Sequence, residues 1–306
     1  MTTETPSTPV VIDEPTVARD WVKRENRAGR RVALVPTMGA LHEGHLALVR
    51  RGREVADSVV VSIFVNPTQF GPDEDLDRYP RTMDEDLRLL RREGAAAVFA
   101  PTASQMYRAG ASATVSPPRV AEPLEGICRP DHFRGVCTVV LKLFQILPAS
   151  VAIFGQKDYQ QARVIADMIA DFDLDISLDL LPTVRDPDGL ALSSRNRYLA
   201  PADRQRALSL ARALDAAESW TRRHGLDPTA IETEMRRVLG DGGVDAIDYA
   251  TVVDPLTLLP LVPPAGQLGD SPHSAGGDQS AEPAGAVALI AAHVAGTRLI
   301  DNRRLP

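Results

Sequence analysis

The chain has few cysteines and lacks the two glycine-rich motifs that most often mark a nucleotide site. Cys128 and Cys137 are its only cysteines, and their spacing matches no zinc or redox pattern. Both are therefore expected to be ordinary small apolar side chains in a reducing cytosol. The patterns GxxxxGK(S/T) and GxGxxG do not occur, which excludes a P-loop and the dinucleotide fingerprint.

Three further absences narrow the class of protein. The net charge of -7 gives no basic surface for a nucleic-acid backbone. No apolar run reaches the length needed to span a membrane, and the first residues, MTTETPSTP, do not have the charged-then-apolar pattern of an export signal. We expect a cytoplasmic protein that acts on small molecules, without nucleic-acid or membrane partners.

Apolar runs and helical patterns alternate over the first two thirds of the chain. Helices are expected at 15–28, from Thr82 onward with a capping box between Thr82 and Glu85, and at 135–147 and 158–172. The runs at 32–35, 58–64, 96–99 and 151–154 are typical of buried strands. This alternation predicts the α/β class, with a doubly wound, parallel, Rossmann-like sheet and a ligand beyond the carboxyl ends of its strands.

In the last third of the chain the alternation of strands and helices gives way to long helical patterns. A length of 306 residues is enough for two domains. Long helices are expected at 201–223 and 228–239, followed by antiparallel strands at 247–253 and 287–291. We therefore predict an N-terminal domain at 1–187 and a smaller C-terminal α+β domain at 188–306. Residues 263–285 are rich in Pro, Gly, Ser and Ala and are expected to form a disordered insertion.

The most informative segment is 32–49, VALVPTMGALHEGHLALV, a strand that passes through a turn into a helix. The unpaired N–H groups at a helix start favour an anionic ligand. Gly39 and Gly44 allow the backbone to approach a phosphate closely, and His42 and His45 share one helix face and can donate hydrogen bonds. The pattern indicates a cradle for a nucleotide triphosphate.

Two other interpretations of the histidine pair stay open. His42 and His45 have a spacing that suits two metal ligands, but a third protein ligand is needed, and Glu43 would point away from their shared face. Both histidines can also serve only to cap the helix.

Two more segments place polar side chains after expected strands. In FVNPTQF, residues 64–70, Asn66 and Gln69 offer uncharged donors and acceptors for a hydroxy acid, or else satisfy the backbone of the loop. In FGQKDYQQ, residues 154–161, Lys157 can meet a phosphate and Asp158 a ribose hydroxyl, with Gln161 one turn further. A capped helix start with a solvated lysine is the alternative.

Residues 184–197 and 129–135 are rich in cations. The first segment, VRDPDGLALSSRNR, carries paired serine hydroxyls next to arginine, which suits a phosphate tail as well as an interdomain linker. The second, RPDHFRG, precedes a helix, and neither His132 nor Arg134 receives a role.

Together these segments strongly resemble the pantothenate synthetases, the pantoate:β-alanine ligases of the HxGH nucleotidyltransferase superfamily. PTMGALHEGH, FVNPTQF, RPDHFRGVCTVVLKLFQI, FGQKDYQQ and GLALSSRN occur in the family's order and span most of residues 32–199. HxGH alone would also fit nucleotide adenylyltransferases or class I aminoacyl-tRNA synthetases. The combination with NPxQF, KDxQQ and SSRN distinguishes this family.

The resemblance implies condensation of pantoate with β-alanine at the expense of ATP, through an enzyme-held pantoyl adenylate. It makes His45, His42, Lys157 and Arg195 the expected catalytic residues, and Gln69, Gln161 and Asn66 the expected substrate-binding residues. ATP, as co-substrate, would contact Pro36, Thr37, Met38, Gly39, Ala40, Leu41, His42, Glu43, Gly44, His45, Gly155, Gln156, Lys157, Asp158, Val184, Leu192, Ser193, Ser194 and Arg195.

The same resemblance implies a homodimer. A magnesium ion is expected for the ATP chemistry, held mostly by substrate and water, with Asp84, Glu85 or Asp86 as unassigned carboxylates. Two other functions stay open: an adenylyltransferase of the same superfamily that stops after transferring AMP, and a nucleotide-binding regulator without catalysis. Release of AMP that depends on an amine would separate the ligase from the adenylyltransferase.

Overall fold

A six-stranded parallel sheet organises the first part of the chain. The computed structural model describes residues 8–72, 74–261 and 285–306. The strands lie in the order β1-β4-β3-β2-β5-β6, and every neighbouring pair is parallel. They are β1 (Val10–Ile12), β2 (Val32–Thr37), β3 (Ser58–Ile63), β4 (Ala97–Phe99), β5 (Val151–Gly155) and β6 (Ser177–Leu181).

The four central strands and the parallel, doubly wound arrangement confirm the prediction from sequence. The strands from β2 to β5 are almost entirely buried and rich in Val and Ile, as strands covered on both faces should be. The two edge strands were not predicted. Val10 and Val11 of the three-residue β1 are about half exposed, and β6 mixes polar and apolar residues, so neither has the run of a buried strand.

Helices cover the sheet in the alternation expected. The capping box predicted at Thr82 is wrong, because the Thr82 hydroxyl instead donates to the carboxylate of Asp86 at 3.2 Å. The helices of this region are α1 (Pro15–Arg27), α2 (Glu43–Val55), α3 (Met83–Glu93), the short α4 (Ala103–Met106) and α5 (Glu125–Cys128), α6 (His132–Ile146) and α7 (Tyr159–Asp171).

The strand order reverses between β2 and β5, which makes their carboxyl ends the switch point of the sheet. Their ladder pairs Ala33 with Val151 and Leu34 with Ala152, near the start of both strands. The carboxyl ends therefore lie beyond the ladder, where open α/β sheets bind ligands. The turn 38–42 follows β2 there, and the loop 156–158 follows β5.

The chain divides into two compact units, one through Asp186 together with Ala191–Ser194, the other formed by Pro187–Leu190 and Arg195 onward. In the second unit the helices are α8 (Pro201–His224) and α9 (Pro228–Asp241). Its antiparallel sheet, in the order β7-β8-β9, consists of β7 (Ala246–Val253), β8 (Ala286–Val294) and β9 (Thr297–Leu305).

The second unit has its own core. Apolar side chains of α8 and α9, among them Leu214 and Met235, form one cluster with residues of all three strands, such as Val252 and Ile290. The Asp227 carboxylate accepts from the Ala230 N–H and caps α9, with Pro228 as its first residue. The antiparallel pair predicted at 247–253 and 287–291 is present.

Three other predictions concern residues 263–285, membrane-spanning segments and the two cysteines. The predicted disordered insertion, 263–285, lies outside the described residues except for Gly285. Within the described part of the chain, no helix is long and apolar enough to cross a membrane. Cys137 is buried, which raises the pKa of its thiol to about 12, whereas Cys128 is exposed rather than packed as a small apolar side chain.

Gly135, in the first turn of α6, allows that helix to pack closely on the 3-10 turn Pro67–Gln69. A Cβ on Gly135 would lie 2.2 Å from the Thr68 carbonyl oxygen and 2.7 Å from the Gln69 nitrogen. Both neighbours are backbone atoms, which cannot rotate away. Any other residue at this position must push the helix and the turn apart.

We predict that Gly135→Ala lowers the free energy of unfolding by about 1–3 kcal/mol, the usual cost of overpacking. Gly240→Ala is the matched control, since Gly240 also lies in a helix but has open space around its Cβ position. That change should stabilise the protein by up to about 1 kcal/mol, because alanine is the better helix former. Urea unfolding measures both, and two changes of equal sign would contradict the packing described here.

Candidate active site

The turn after β2 is fixed by its own side chains and by a glycine. The Thr37 hydroxyl donates to the Ser62 carbonyl of β3 at 2.7 Å and accepts from the Gly39 N–H at 3.2 Å. Gly39 has a φ of +80°, and a Cβ there would approach the Ile63 side chain at 3.0 Å. The left-handed backbone and this contact both require glycine.

A buried carboxylate holds the next two residues of the turn. Asp86 of α3 is 1 % exposed, and its oxygens accept from the N–H groups of Ala40 at 3.0 Å and Leu41 at 2.8 Å. The Thr82 hydroxyl donates to the same carboxylate. Asp86 is therefore an anchor for the backbone of the turn, and sequence gave no signal for this role beyond an acidic residue near a helix start.

His42 and His45 stand at the beginning of α2 with their ring centroids 4.0 Å apart. A Cβ on Gly44 would meet the His42 ring at 3.0 Å, so glycine at this position gives the ring its space. The His42 backbone N–H donates to Nδ1 of His45 at 3.3 Å. In the neutral His45 ring the proton therefore resides on Nε2, which remains a hydrogen-bond donor.

The loop after β5 carries Lys157, a cation whose charge acts on His45. Burial is the largest cause that holds the pKa of His45 well below its usual range, and the charges of His42 and Lys157 lower it further. The Gln156 N–H donates to the Leu181 carbonyl at 2.8 Å, which ties the loop to β6. Gly155 has open space around its Cβ position, and the Asp158 carboxylate lies 3.7 Å from the Lys157 ammonium.

Residues 184–194 return to the turn after β2. The Leu192 N–H donates to the Val184 carbonyl at 3.0 Å, which closes a loop. The Ser194 hydroxyl, in a residue only 6 % exposed, donates to the Ala40 carbonyl at 3.1 Å. The Leu192 side chain reaches 3.7 Å from the Cβ position of Gly44. Three of the expected ATP contacts, Val184, Leu192 and Ser194, are thus linked to the turn after β2. Arg195 is part of the second unit.

The amide side chains expected to bind substrate lie in different surroundings. Asn66 is 1 % exposed, and its amide nitrogen donates to Oε1 of Gln69 at 3.1 Å and to the Gly135 carbonyl at 3.2 Å. Gln69 Nε2 lies 3.3 Å from the sulfur of Met38, which joins this turn to the one after β2. Gln161 is half-buried in the first turn of α7.

The backbone of Gln69 is held by two side chains to which the sequence assigned no role. Its carbonyl oxygen lies 2.9 Å from Nδ1 of His132 and 3.2 Å from a guanidinium nitrogen of Arg129. Arg129 also lies 3.2 Å from Nε2 of His132 and forms a two-pronged ion pair with Glu74. Arginine can only donate, so Nε2 of His132 accepts a hydrogen bond from Arg129. The ring proton therefore lies on Nδ1, which donates a hydrogen bond to the Gln69 carbonyl.

This arrangement keeps His132 neutral. Burial is the main cause that lowers its pKa to about 4, and the nearby Arg129 charge lowers it further. The motif RPDHFRG contained both residues, but only the fold shows that they converge on the carbonyl of Gln69.

Metal ligands are the last class of side chain expected here. Among the residues that the structure describes, no three His, Cys, Asp or Glu side chains form a group that could hold a metal ion. Asp86 is occupied by the backbone of the turn, and Asp84 and Glu85 are exposed at the start of α3. The open alternative of a metal held by the histidine pair therefore lacks a third ligand in this part of the chain.

The role of Asp86 can be tested by stability. Asp86→Ala leaves two buried N–H groups without their acceptor and should lower the free energy of unfolding by about 2–4 kcal/mol. Asp84→Ala, an exposed change in the same helix turn, should cost less than about 1 kcal/mol. Urea unfolding of both variants checks this, and equal losses would show that the carboxylate of Asp86 is not an anchor.

His132 should make stability depend on pH. Its pKa in the folded protein, about 4, is below its ordinary value of 6.5. The unfolded chain therefore binds more protons between these values, so that this contribution is complete above pH 6.5 and is lost as the pH falls toward 4. The full difference amounts to up to about 3 kcal/mol.

The matched variant for that measurement is His132→Asn, which keeps a donor for the Gln69 carbonyl but does not titrate. The gap in unfolding free energy between the wild type and this variant should narrow, or reverse, as the pH is lowered from 7 to 4. A gap that stays constant over this range would contradict a neutral, buried His132.

Comparison with known proteins supports one family throughout. The family model for pantoate-beta-alanine ligase matches residues 10–304. A pantothenate synthetase of Rhodopirellula baltica is 48 % identical over 290 residues, covering 94 % of this chain and 95 % of the relative. One from Nocardioides sp. is 49 % identical over 282 residues, covering 90 % of this chain and 78 % of the relative.

Solved structures agree with the sequence relatives. A pantothenate synthetase from Thermus thermophilus superposes with a TM-score of 0.86 at 39 % identity, covering 97 % of this chain and all of the other. A pantoate-beta-alanine ligase from Francisella tularensis, determined with β-γ ATP and β-alanine, gives 0.76 at 29 % identity and covers 97 % of both chains. These matches confirm the resemblance predicted from the motifs, and the chain belongs to the pantoate-beta-alanine ligase family.

Proposed function

We propose that this enzyme joins pantoate to β-alanine in two steps at the switch point of its parallel sheet, with a pantoyl adenylate as intermediate. The products are pantothenate, AMP and pyrophosphate. The observation that carries this proposal is that the histidine pair and the Lys157 loop follow two adjacent strands, β2 and β5, with the amide of Gln69 near Met38 of the same turn. Family membership supports the overall reaction.

ATP is proposed to bind across the turn after β2. The start of α2 supplies N–H groups and the positive end of a helix dipole, which favour phosphate. Asp86 accepts from the N–H groups of Ala40 and Leu41, so the turn is already ordered before the nucleotide arrives. The β-γ ATP found with the Francisella tularensis relative supports the assignment. The proposed ATP contacts are residues 36–45, 155–158, 184 and 192–195.

Pantoate is proposed to lie beside Gln69 and Gln161. Uncharged amides can bind a carboxylate and hydroxyls without adding a negative charge near the acid. Asn66 is proposed to contribute indirectly, since its amide groups are used within the protein. β-Alanine, found with the same relative, is proposed to enter on this side.

In the first step a pantoate carboxylate oxygen attacks the α-phosphorus of ATP, and the bond from that phosphorus to the pyrophosphate oxygen breaks. Two anions must approach each other, so donors and cations that follow the moving charge lower the barrier. The Nε2–H of neutral His45 and the Lys157 ammonium are suited to this task. His42 and Arg195 are proposed to assist, as the family resemblance implies.

In the second step the neutral amine of β-alanine attacks the carbonyl carbon of the mixed anhydride. The C–O bond to AMP breaks, the carboxyl carbon gains the amide nitrogen, and the amine loses a proton to solvent or to a phosphate oxygen. No covalent bond to the enzyme is required. Holding the amine next to the activated carbonyl can supply much of the rate.

Three further parts of the proposal rest on chemistry and family resemblance. Magnesium is proposed to arrive on the phosphates of ATP, where it would neutralise charge on the leaving pyrophosphate. This arrangement calls for no cluster of three protein ligands, and the described residues contain none. A homodimer and a cytoplasmic location are also proposed.

Pyrophosphate exchange into ATP tests the first step directly. Labelled pyrophosphate should enter ATP only when pantoate is present, and β-alanine should then convert the activated acid to product with release of AMP. Exchange without pantoate would overturn the proposal. Release of pyrophosphate without release of AMP, whether or not β-alanine is present, would instead support an adenylyltransferase.

We predict that His45→Ala reduces pantoate-dependent exchange by roughly a hundredfold or more, as removal of a donor to developing charge does in other enzymes. The folded state should survive, because a polar ring at the start of α2 contributes little to apolar packing. His224→Ala, at the exposed end of α8, is the matched control and should exchange normally. Near-normal exchange by the His45 variant would remove this residue from the mechanism.

A further inference from the structure

The side chain of Asn66 connects a tyrosine outside the expected site to the amide that is proposed to bind pantoate. Its oxygen Oδ1 accepts from the Thr68 N–H at 3.3 Å, the Thr68 hydroxyl at 2.9 Å and the Tyr107 hydroxyl at 2.8 Å. Its nitrogen Nδ2 donates to Oε1 of Gln69 and to the Gly135 carbonyl. Both ends of this buried amide are thus used inside the protein.

Two backbone groups show which way the Asn66 amide faces. The N–H of Thr68 can only donate, so the atom that meets it must be the oxygen of Asn66. The carbonyl of Gly135 can only accept, so the atom that meets it must be the nitrogen. The orientation of the Asn66 amide is therefore assigned from its hydrogen-bond partners, and not from the nearly identical shapes of Oδ1 and Nδ2.

The orientation of Asn66 fixes that of Gln69 in turn. Since Nδ2 of Asn66 is a donor, Gln69 must turn its acceptor Oε1 toward it. The Gln69 Nε2 group then points the other way, toward Met38, with the sulfur as a weak acceptor at 3.3 Å. Gln69 is presented with its N–H donors toward the turn after β2 and its oxygen already occupied.

Tyr107 stands at the far end of this chain of hydrogen bonds. It lies directly after α4, with its ring 6.2 Å from that of Phe64 and 5.7 Å from the Lys142 ammonium. Burial raises the pKa of Tyr107, so its hydroxyl keeps the proton that it donates. Nothing in the motif FVNPTQF points to this residue, which is 41 positions away from Asn66.

We infer that Tyr107 is a positioning residue for substrate recognition: together with the Thr68 N–H and the Gly135 carbonyl it holds Asn66, which keeps the N–H donors of the Gln69 amide turned toward the acid substrate. This inference rests on the proposed function, because it takes pantoate to be the acid that Gln69 meets. A carboxylate accepts hydrogen bonds only, so an amide turned the wrong way would present an oxygen to an anion. Locking one orientation removes that competing state before the substrate binds.

The test compares pantoate affinity in Tyr107→Phe with that of the wild type, in the presence of a non-hydrolysable ATP analogue. The variant keeps the ring and loses only the hydroxyl. Calorimetry should show a dissociation constant for pantoate raised about three- to tenfold, the range expected for one hydrogen bond, with the affinity for the analogue unchanged. Tyr249→Phe, on β7 of the second unit, is the matched control and should bind both ligands normally.

A double-mutant cycle separates positioning from a general structural role. If Tyr107 acts through the Gln69 amide, its change to Phe should alter pantoate affinity less than twofold in a Gln69→Ala background. An equal loss in both backgrounds, or a parallel loss of analogue binding, would overturn the inference. So would unchanged pantoate binding in the single variant.

Failure of the proposed function would look different. In that case wild-type protein would show no pantoate-dependent exchange of pyrophosphate into ATP, whatever residue stands at position 107. If the wild-type enzyme is active and the Tyr107→Phe variant binds pantoate with unchanged affinity, only the positioning role is rejected. A melting temperature for each variant confirms that the comparison is made between folded proteins.

Discussion

The pair of hydrogen bonds from the backbone of Ala40 and Leu41 to the buried carboxylate of Asp86 is the constraint on which the site depends. Residues 38–42 must leave β2, turn and start α2 within a few positions, and the backbone N–H groups of such a turn need partners. Asp86 supplies them from α3, while Thr37 and Ser194 bind neighbouring parts of the same turn. The helix start is then free to meet an anion, since its supporting backbone is already satisfied.

The topology of the sheet brings this turn to its chemical partner. The order of the strands reverses between β2 and β5, so the segments that follow these two strands emerge side by side. One carries two closely spaced imidazoles and the other carries Lys157, whose charge helps to keep His45 neutral. A neutral ring can donate from one nitrogen while the other is bound by the backbone, and the neighbouring ammonium supplies the positive charge.

The sequence predicted the parts of this molecule whose signals are local. A short stretch of sequence is enough to recognise the buried central strands, the amphipathic helices and the strand-turn-helix at 32–49. The edge strands β1 and β6 did not, because half-exposed or mixed residues have no buried-strand pattern. Strand β9 was missed because its two-residue turn, Ala295 and Gly296 with φ values of 50° and 73°, lacks the usual Asn-Gly signal.

Within the site, the motifs located the residues that face a ligand but not those that hold them. Asp86, Arg129 and His132 act across 46, 60 and 63 positions of sequence on atoms of the turns, a relation that no spacing rule reveals. Gly135 looked like a helix residue, although its importance lies in the backbone packed against it. Long-range polar contacts of this kind follow from the fold, so they can be found only after the fold is known.

If AMP is transferred to the acid as proposed, an oxygen atom of the acid must end in AMP, and isotopic labelling follows that atom. Pantoate labelled with ¹⁸O in its carboxylate should be turned over with ATP and β-alanine, and the products examined by mass spectrometry. One labelled oxygen is expected in AMP, because the C–O bond to the former carboxylate oxygen breaks when the amine attacks. Label found in pyrophosphate or inorganic phosphate, with none in AMP, would contradict it.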